Sequence, residues 1–129
     1  MSNVFETHGA FSWAELMTTD TESAKSFYGQ LFGWQFEDMP MEDGSIYNVV
    51  KLGEEQIAGI MPMPPQAEGV PPNWGNYLTV DDVDFIAGKV AELGGTICVP
   101  PTDIPHVGRF TMFQDLQGAT ISAIQYAKK

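Results

Sequence analysis

The feature that most constrains this chain is that it is written twice. The stretch "FSWAELMTTDTESAKSFYGQLFGW", Phe11 to Trp34, and the stretch "GNYLTVDDVDFIAGKVAELGG", Gly75 to Gly95, share one order of parts: strand pattern, acidic cap, helical stripe and glycine stop. Leu78 follows Leu16, and Gly95 follows Gly33, at the same spacing of 62 residues. Recurrence of several parts in order at one offset marks an internal repeat.

In the first copy, Phe11, Trp13, Glu15 and Met17 alternate with Ser12, Ala14 and Leu16, which predicts a strand with both faces at least partly covered. Thr19 followed by Glu22 has the spacing of a capping box, and Gly33 offers a left-handed stop. Between them Ala24, Phe27, Tyr28 and Leu31 repeat at three and four and read as the core stripe of one helix. The second copy predicts a strand over Asn76 to Val80, a cap at Asp81 or Asp82, a core stripe of Val83, Ile86, Val90 and Leu93, and a stop at Gly94 and Gly95.

Three β-like runs follow each helix: 34–39, 46–52 and 56–61, then 96–99, 109–114 and 119–126. Turn residues in "EDGS", "LGEE", "PPTDIPHVG" and "DLQG" separate them. Each copy is therefore βαβββ. The segment "MPMPPQAEGVPP" holds five of the nine prolines and reads as an extended linker, with a docking segment as its rival reading. The chain is one domain, residues 1–129, with a first module over about 8–61, a linker over 62–72 and a second module over about 73–126.

Six basic against 17 acidic residues give a formal net charge of −11, which repels nucleic-acid phosphates and anionic membrane surfaces and disfavours strongly anionic ligands. Lys51 and Arg109 are the cations expected to offset this locally within a pocket. No apolar run approaches the eighteen or so residues of a membrane helix, and no basic, apolar leader opens the chain, so a cytoplasmic location is expected. The single cysteine, Cys98, lies between β-formers and is expected to be a buried, inert thiol.

"TDTESAKSFYGQLFGW", Thr19 to Trp34, and "GRFTMFQDLQGATISAI", Gly108 to Ile124, together with the W-x-E-L of the first strand, resemble the vicinal oxygen chelate superfamily, in its glyoxalase-related and bleomycin-resistance-like branch. The resemblance covers Phe11 to Tyr126. It implies an α+β fold in which two βαβββ modules form a curved mixed sheet, a cup between them for a small organic molecule, and a homodimer. Metal-dependent members take one ligand from the first and one from the last strand of each module. Those positions fall here at Trp13, Gly75, Ser122 and either Gly59 or Ile60, none of them an ordinary ligand. His8 and His106 lie outside the strands and are expected at the surface. The expectation is therefore no metal and no other cofactor.

What remains for chemistry is Glu15, which strand parity puts on the face of Trp13 and Met17. Desolvation by aromatic neighbours would raise its pKa above the ordinary value of about 4.3, and hydroxyl donors such as Tyr77, Thr120 or Ser122 would draw it back. One reading is an enzyme, a metal-independent lyase or isomerase with Glu15 as general base and hydroxyls of Tyr77 or Ser122 steadying developing charge. A second is a non-catalytic protein that sequesters a drug or metabolite between the aromatic side chains of Trp13, Tyr47 and Trp74. A third is a structural or regulatory partner in a larger assembly.

Overall fold

A computed structural model of the chain describes residues 3–41, 44–63 and 69–127. After a 3-10 turn at Val4–Glu6, the elements run β1 (Phe11–Thr18), α1 (Thr21–Phe32), β2 (Gln35–Pro40), β3 (Ile46–Leu52), β4 (Glu55–Pro62), β5 (Asn73–Thr79), α2 (Val83–Glu92), β6 (Thr96–Ile104), β7 (Gly108–Gln114) and β8 (Thr120–Tyr126). This is βαβββ twice. The strand order is β2-β3-β4-β1 in the first set and β6-β7-β8-β5 in the second, so the two copies share one connectivity. In each, the first strand runs parallel to the last and the other pairs are antiparallel. The fold class is α+β, as the resemblance implies.

The chain divides into two compact units: Trp13–Gly75, and the remainder from Asn76 onward together with the segment up to Ser12. In the first, Leu16, Val50, Ala58 and Ile60 form a buried cluster, against which Ala14, Ala24, Tyr28, Trp34 and Phe36 pack. Alternation on the strands sends these side chains to the face covered by α1. Ile60 and Val50 are fully buried, each worth about 1.5–3 kcal/mol of hydrophobic stabilisation.

Two features of α1 differ from expectation. The N-cap is Asp20, whose carboxylate accepts the Ser23 N–H at 3.0 Å, so the Thr19–Glu22 capping box does not form. A carboxylate there also meets the positive end of the helix dipole. Glu22 is left to pair with Lys25 at 2.8 Å. Gly33 ends the helix in the left-handed region, φ 75°, as its position predicts. The apolar stripe is only half core: Ala24 and Tyr28 pack inward, while Phe27 and Leu31 are 60% and 58% exposed. Residues 24 and 28 lie one turn apart on the inward line, and the line through 27 and 31 is turned about 60° around the helix from it.

In the second unit Asp82, not Asp81, caps α2, its carboxylate accepting the Phe85 N–H at 3.2 Å. The Val83 N–H is satisfied by Gln125 Oε1 at 3.0 Å. Val80, Val83 and Ala123 form the core with Ile86 and Phe113 against them, whereas Leu93, the last position of the predicted stripe, is 69% exposed. The N-terminal segment is tied in by backbone hydrogen bonds of Gly9 and Ala10 to Thr79 and by the Phe5 ring set edge-on against Tyr126. Strand β6 continues through Pro100 and Pro101, where a turn was expected. Both prolines sit where the register with β7 shifts, between Val99 and Thr102, on the strand that ends the order of the described strands, a place where proline is tolerated. Cys98 lies on this strand and is exposed, contrary to the buried thiol expected, because its neighbours Ile97 and Val99 take the half-buried positions. Of the predicted linker, 64–68 and the docking reading attached to it lie outside the described residues.

Arg109 of β7 spans two carboxylates. Its Nε and Nη2 donate to Asp84 of α2 at 3.0 Å each, and its Nη1 donates to Asp103 of β6 at 2.9 Å. The hydrogen bonds from Arg109 hold the Asp84 carboxyl below its ordinary value of 3.8, and those carboxylates in turn raise the guanidinium. A carboxyl whose folded pKa is depressed stabilises the fold above its unfolded value and loses that contribution as pH falls through the folded one. The melting-temperature gap between wild type and Arg109→Gln should therefore be widest near neutral pH and close in acid, read by thermal melts from pH 7 down to about 2. Urea unfolding should find Asp82→Ala less stable by about 1 kcal/mol, and Asp81→Ala by under half of that.

Candidate functional site

The α1-covered core of the first unit dictates what its other face displays. With Ala14 and Leu16 turned toward the helix, Trp13, Glu15 and Met17 of β1 point the opposite way, all three half-buried. On β3, Val50 packs in the core and Tyr47 and Val49 share the face of Glu15. The register sets Glu15 of β1 and Val49 of β3 on either side of Gly59 of β4. Gly59 has no side chain to fill the gap, and Tyr47 fills it: a Cβ built on Gly59 would fall into the Tyr47 ring and hydroxyl. Across that glycine Tyr47 Oη donates to Glu15 Oε1 at 2.8 Å and accepts the Trp13 Nε1–H at 2.8 Å. Indole, phenol and carboxylate thus form one hydrogen-bonded row, with Met17 beside it on β1.

Parity in the sequence sets Trp13, Glu15 and Met17 on one face and names Tyr47 only as an aromatic wall; the structure brings Tyr47 to that face, where the sequence pointed to other hydroxyls as donors to Glu15. The sequence reading also treated Gly59 only as a vacant ligand position. The signal was present: a glycine inside a strand marks a place where something must approach closely.

Trp74 does not join Trp13 and Tyr47. Its ring packs edge-on against Tyr28 at 5.6 Å and Trp34 at 6.2 Å, and its Nε1–H donates to the Tyr28 hydroxyl at 3.2 Å. Parity on β5 turns it to the α1 side, so it is part of an aromatic cluster over the helix. Lys51 lies 3.8 Å from Glu37 of β2, and Arg109 is engaged by Asp84 and Asp103. Neither cation stands clear of a carboxylate.

In the second unit Tyr77 and Ser122 are partners across the parallel β5–β8 pair, and both are buried. The Tyr77 ring lies tilted against Phe110 at 6.3 Å, on the side away from α2, whereas Thr120 is exposed at the start of β8. His8 is about half exposed and its Nδ1 accepts the Asp81 N–H at 3.0 Å.

A divalent cation needs three or four oxygen, nitrogen or thiolate donors converging. Among the described residues no group of three or more His, Cys, Asp or Glu is so placed. The positions aligned with a ligand set do not fit one either: the Trp13 indole nitrogen is a donor already committed to Tyr47, and Gly59 is covered by the Tyr47 ring. No described helix is long and apolar enough to cross a membrane.

The profile of the Glyoxalase/Bleomycin resistance protein/Dioxygenase superfamily matches residues 10–122. A putative glyoxylase, CFP32, of Mycobacterium tuberculosis is 43% identical over 119 residues, covering 91% of this chain and 46% of that protein. The anthracycline biosynthesis protein DnrV of Streptomyces peucetius is 26% identical over 126 residues, covering 88% of this chain and again 46% of its own length. The chain thus spans about half the length of these relatives. Among solved structures, methylmalonyl-CoA epimerase from Mycobacterium tuberculosis superposes with a TM-score of 0.65 at 15% identity, over 99% of this chain and 94% of that one, which is a likeness of fold. With the βαβββ repeat, its shared strand order and a profile match over most of its length, the chain belongs to the glyoxalase/bleomycin resistance protein/dioxygenase superfamily.

Proposed function

We propose that this protein binds a small organic molecule against the face formed by Trp13, Met17 and Tyr47, and that Glu15 acts there as a general base in a lyase or isomerase step. The observation that carries the reading is the Glu15 carboxylate itself, half-buried on a largely apolar face and held at 2.8 Å by a phenol. A carboxylate in such a place costs free energy unless it is paired or used, and strongly placed ionisable groups mark functional sites. Relatives named as a glyoxylase and a structural neighbour named as an epimerase support chemistry on a small carbon skeleton.

The step within reach of one carboxylate is removal of a proton from a carbon next to a carbonyl, with the proton held on Glu15 and then returned to the same carbon or to a neighbour. The indole, phenol and thioether around it supply apolar contact that seats a flat or compact ligand. The rival reading, sequestration without turnover, shares every contact and differs only in whether Glu15 moves a proton.

Incubating the protein with a panel of small carbonyl compounds in D2O separates the two. Wild type should accelerate deuterium uptake at the carbon next to the carbonyl of its substrate, and Glu15→Gln should lose roughly 100-fold or more of that rate while still binding the compound. Saturable binding with no deuterium uptake by wild type would sink the catalytic reading in favour of sequestration. We also propose that the chain acts as a homodimer in the cytoplasm. Light scattering at micromolar concentration should give about twice the 14.2 kDa chain mass, and a monomer mass would reject the dimer.

A further inference from the structure

We propose that Tyr47 is the positioning residue of this face: its hydroxyl, oriented by the Trp13 indole, fixes the Glu15 carboxylate, and Gly59 is the residue that admits it. The inference deepens the reading of Glu15 as a base, and it stands or falls without any ligand.

The direction of the row follows from its chemistry. An indole Nε1–H can only donate. The Tyr47 oxygen 2.8 Å away must therefore accept it, which leaves the single phenol proton for the other neighbour, Glu15 Oε1, also at 2.8 Å. The row runs one way, Trp13 to Tyr47 to Glu15, and ends on an accepting carboxyl oxygen. Each bond in such a chain polarises the next. The terminal torsion of a glutamate side chain is intrinsically broad, so a fixed donor at one oxygen narrows where the carboxylate plane points.

Gly59 completes the argument. Its φ is not among the positive values that favour glycine, so its backbone does not require that residue type. Space does, since any side chain there would collide with the Tyr47 ring and hydroxyl. A phenol and the hole that accepts it occupy adjacent strands, both aimed at Glu15.

The test is NMR at neutral pH on labelled full-length protein, following the Trp13 indole 1H–15N signal and the Glu15 carboxyl 13C signal. Tyr47→Phe keeps the ring and removes only the hydroxyl. Both signals should move, and the Trp13 indole proton should exchange with solvent roughly tenfold faster, as loss of one hydrogen bond implies. Gly59→Ala keeps the hydroxyl but displaces the ring, and should move both signals in the same direction. Tyr28→Phe, which removes a hydroxyl from the α1 side of the same unit, should leave both in place. Unchanged Glu15 and Trp13 signals in Tyr47→Phe would overturn the proposal, whether or not Gly59→Ala folds. A folded Gly59→Ala with both signals at their wild-type positions would overturn the role given to Gly59. A protein that passes this test but exchanges no substrate proton keeps Tyr47 as the anchor of Glu15 and loses only the catalytic reading.

Discussion

Burial of Leu16, Val50, Ala58 and Ile60 beneath α1 is the constraint from which the rest of the first unit follows. Side chains on a strand alternate between faces, so committing these four to the helix commits Trp13, Glu15, Met17, Tyr47 and Gly59 to the other side. A slip of one residue in β1 would drive Glu15 into the core and expose Leu16, a loss of hydrophobic burial together with an unpaired carboxylate in an apolar cluster. The packing that makes the fold stable is therefore also what presents the carboxylate. The second unit obeys the same rule, with Val80, Val83 and Ala123 on the α2 side and Tyr77 and Ser122 turned away from it.

Much of this was legible in the sequence, for reasons that can be named. Period-two alternation in Phe11 to Met17 gave the strand and the parity of Glu15, and glycine at 33 marked the end of α1 because the left-handed stop there is a local matter. The errors share a cause too. Thr19 against Asp20 as cap, and Phe27 and Leu31 as core, each depended on the rotation of α1 about its axis, which is set by what the helix packs on. Trp74 was misassigned because its strand begins at Asn73 and its ring turns to the helix side, where Tyr28 and Trp34 receive it. Arg109 drew attention as a scarce cation in an acidic chain, yet one carboxylate faces it across the β6–β7 hairpin, a strand extended past the predicted turn, and the other comes from α2, 25 residues away. The Tyr47–Glu15 bond was hidden for the same reason: its partners are 32 residues apart and meet only through the register of β4.

The row of Trp13, Tyr47 and Glu15 sets the character of the face on which it stands. The first-strand position carries an indole that donates, and the facing glycine is filled by a phenol, so the row that stands on this face is built of protons shared between side chains. The orientation of the row is set by which partner must donate.

The fit of Tyr47 over Gly59 also has a consequence for how such a site can change over time. A methyl group at position 59 is harmful while Tyr47 is present and harmless once position 47 holds a small residue, so the effect of one substitution depends on the other. The two positions form a lock with an order of opening: residue 47 must shrink before residue 59 can grow, and the reverse order passes through a displaced ring and a released Glu15. The geometry of this face thus depends on two strands jointly as much as on any single side chain.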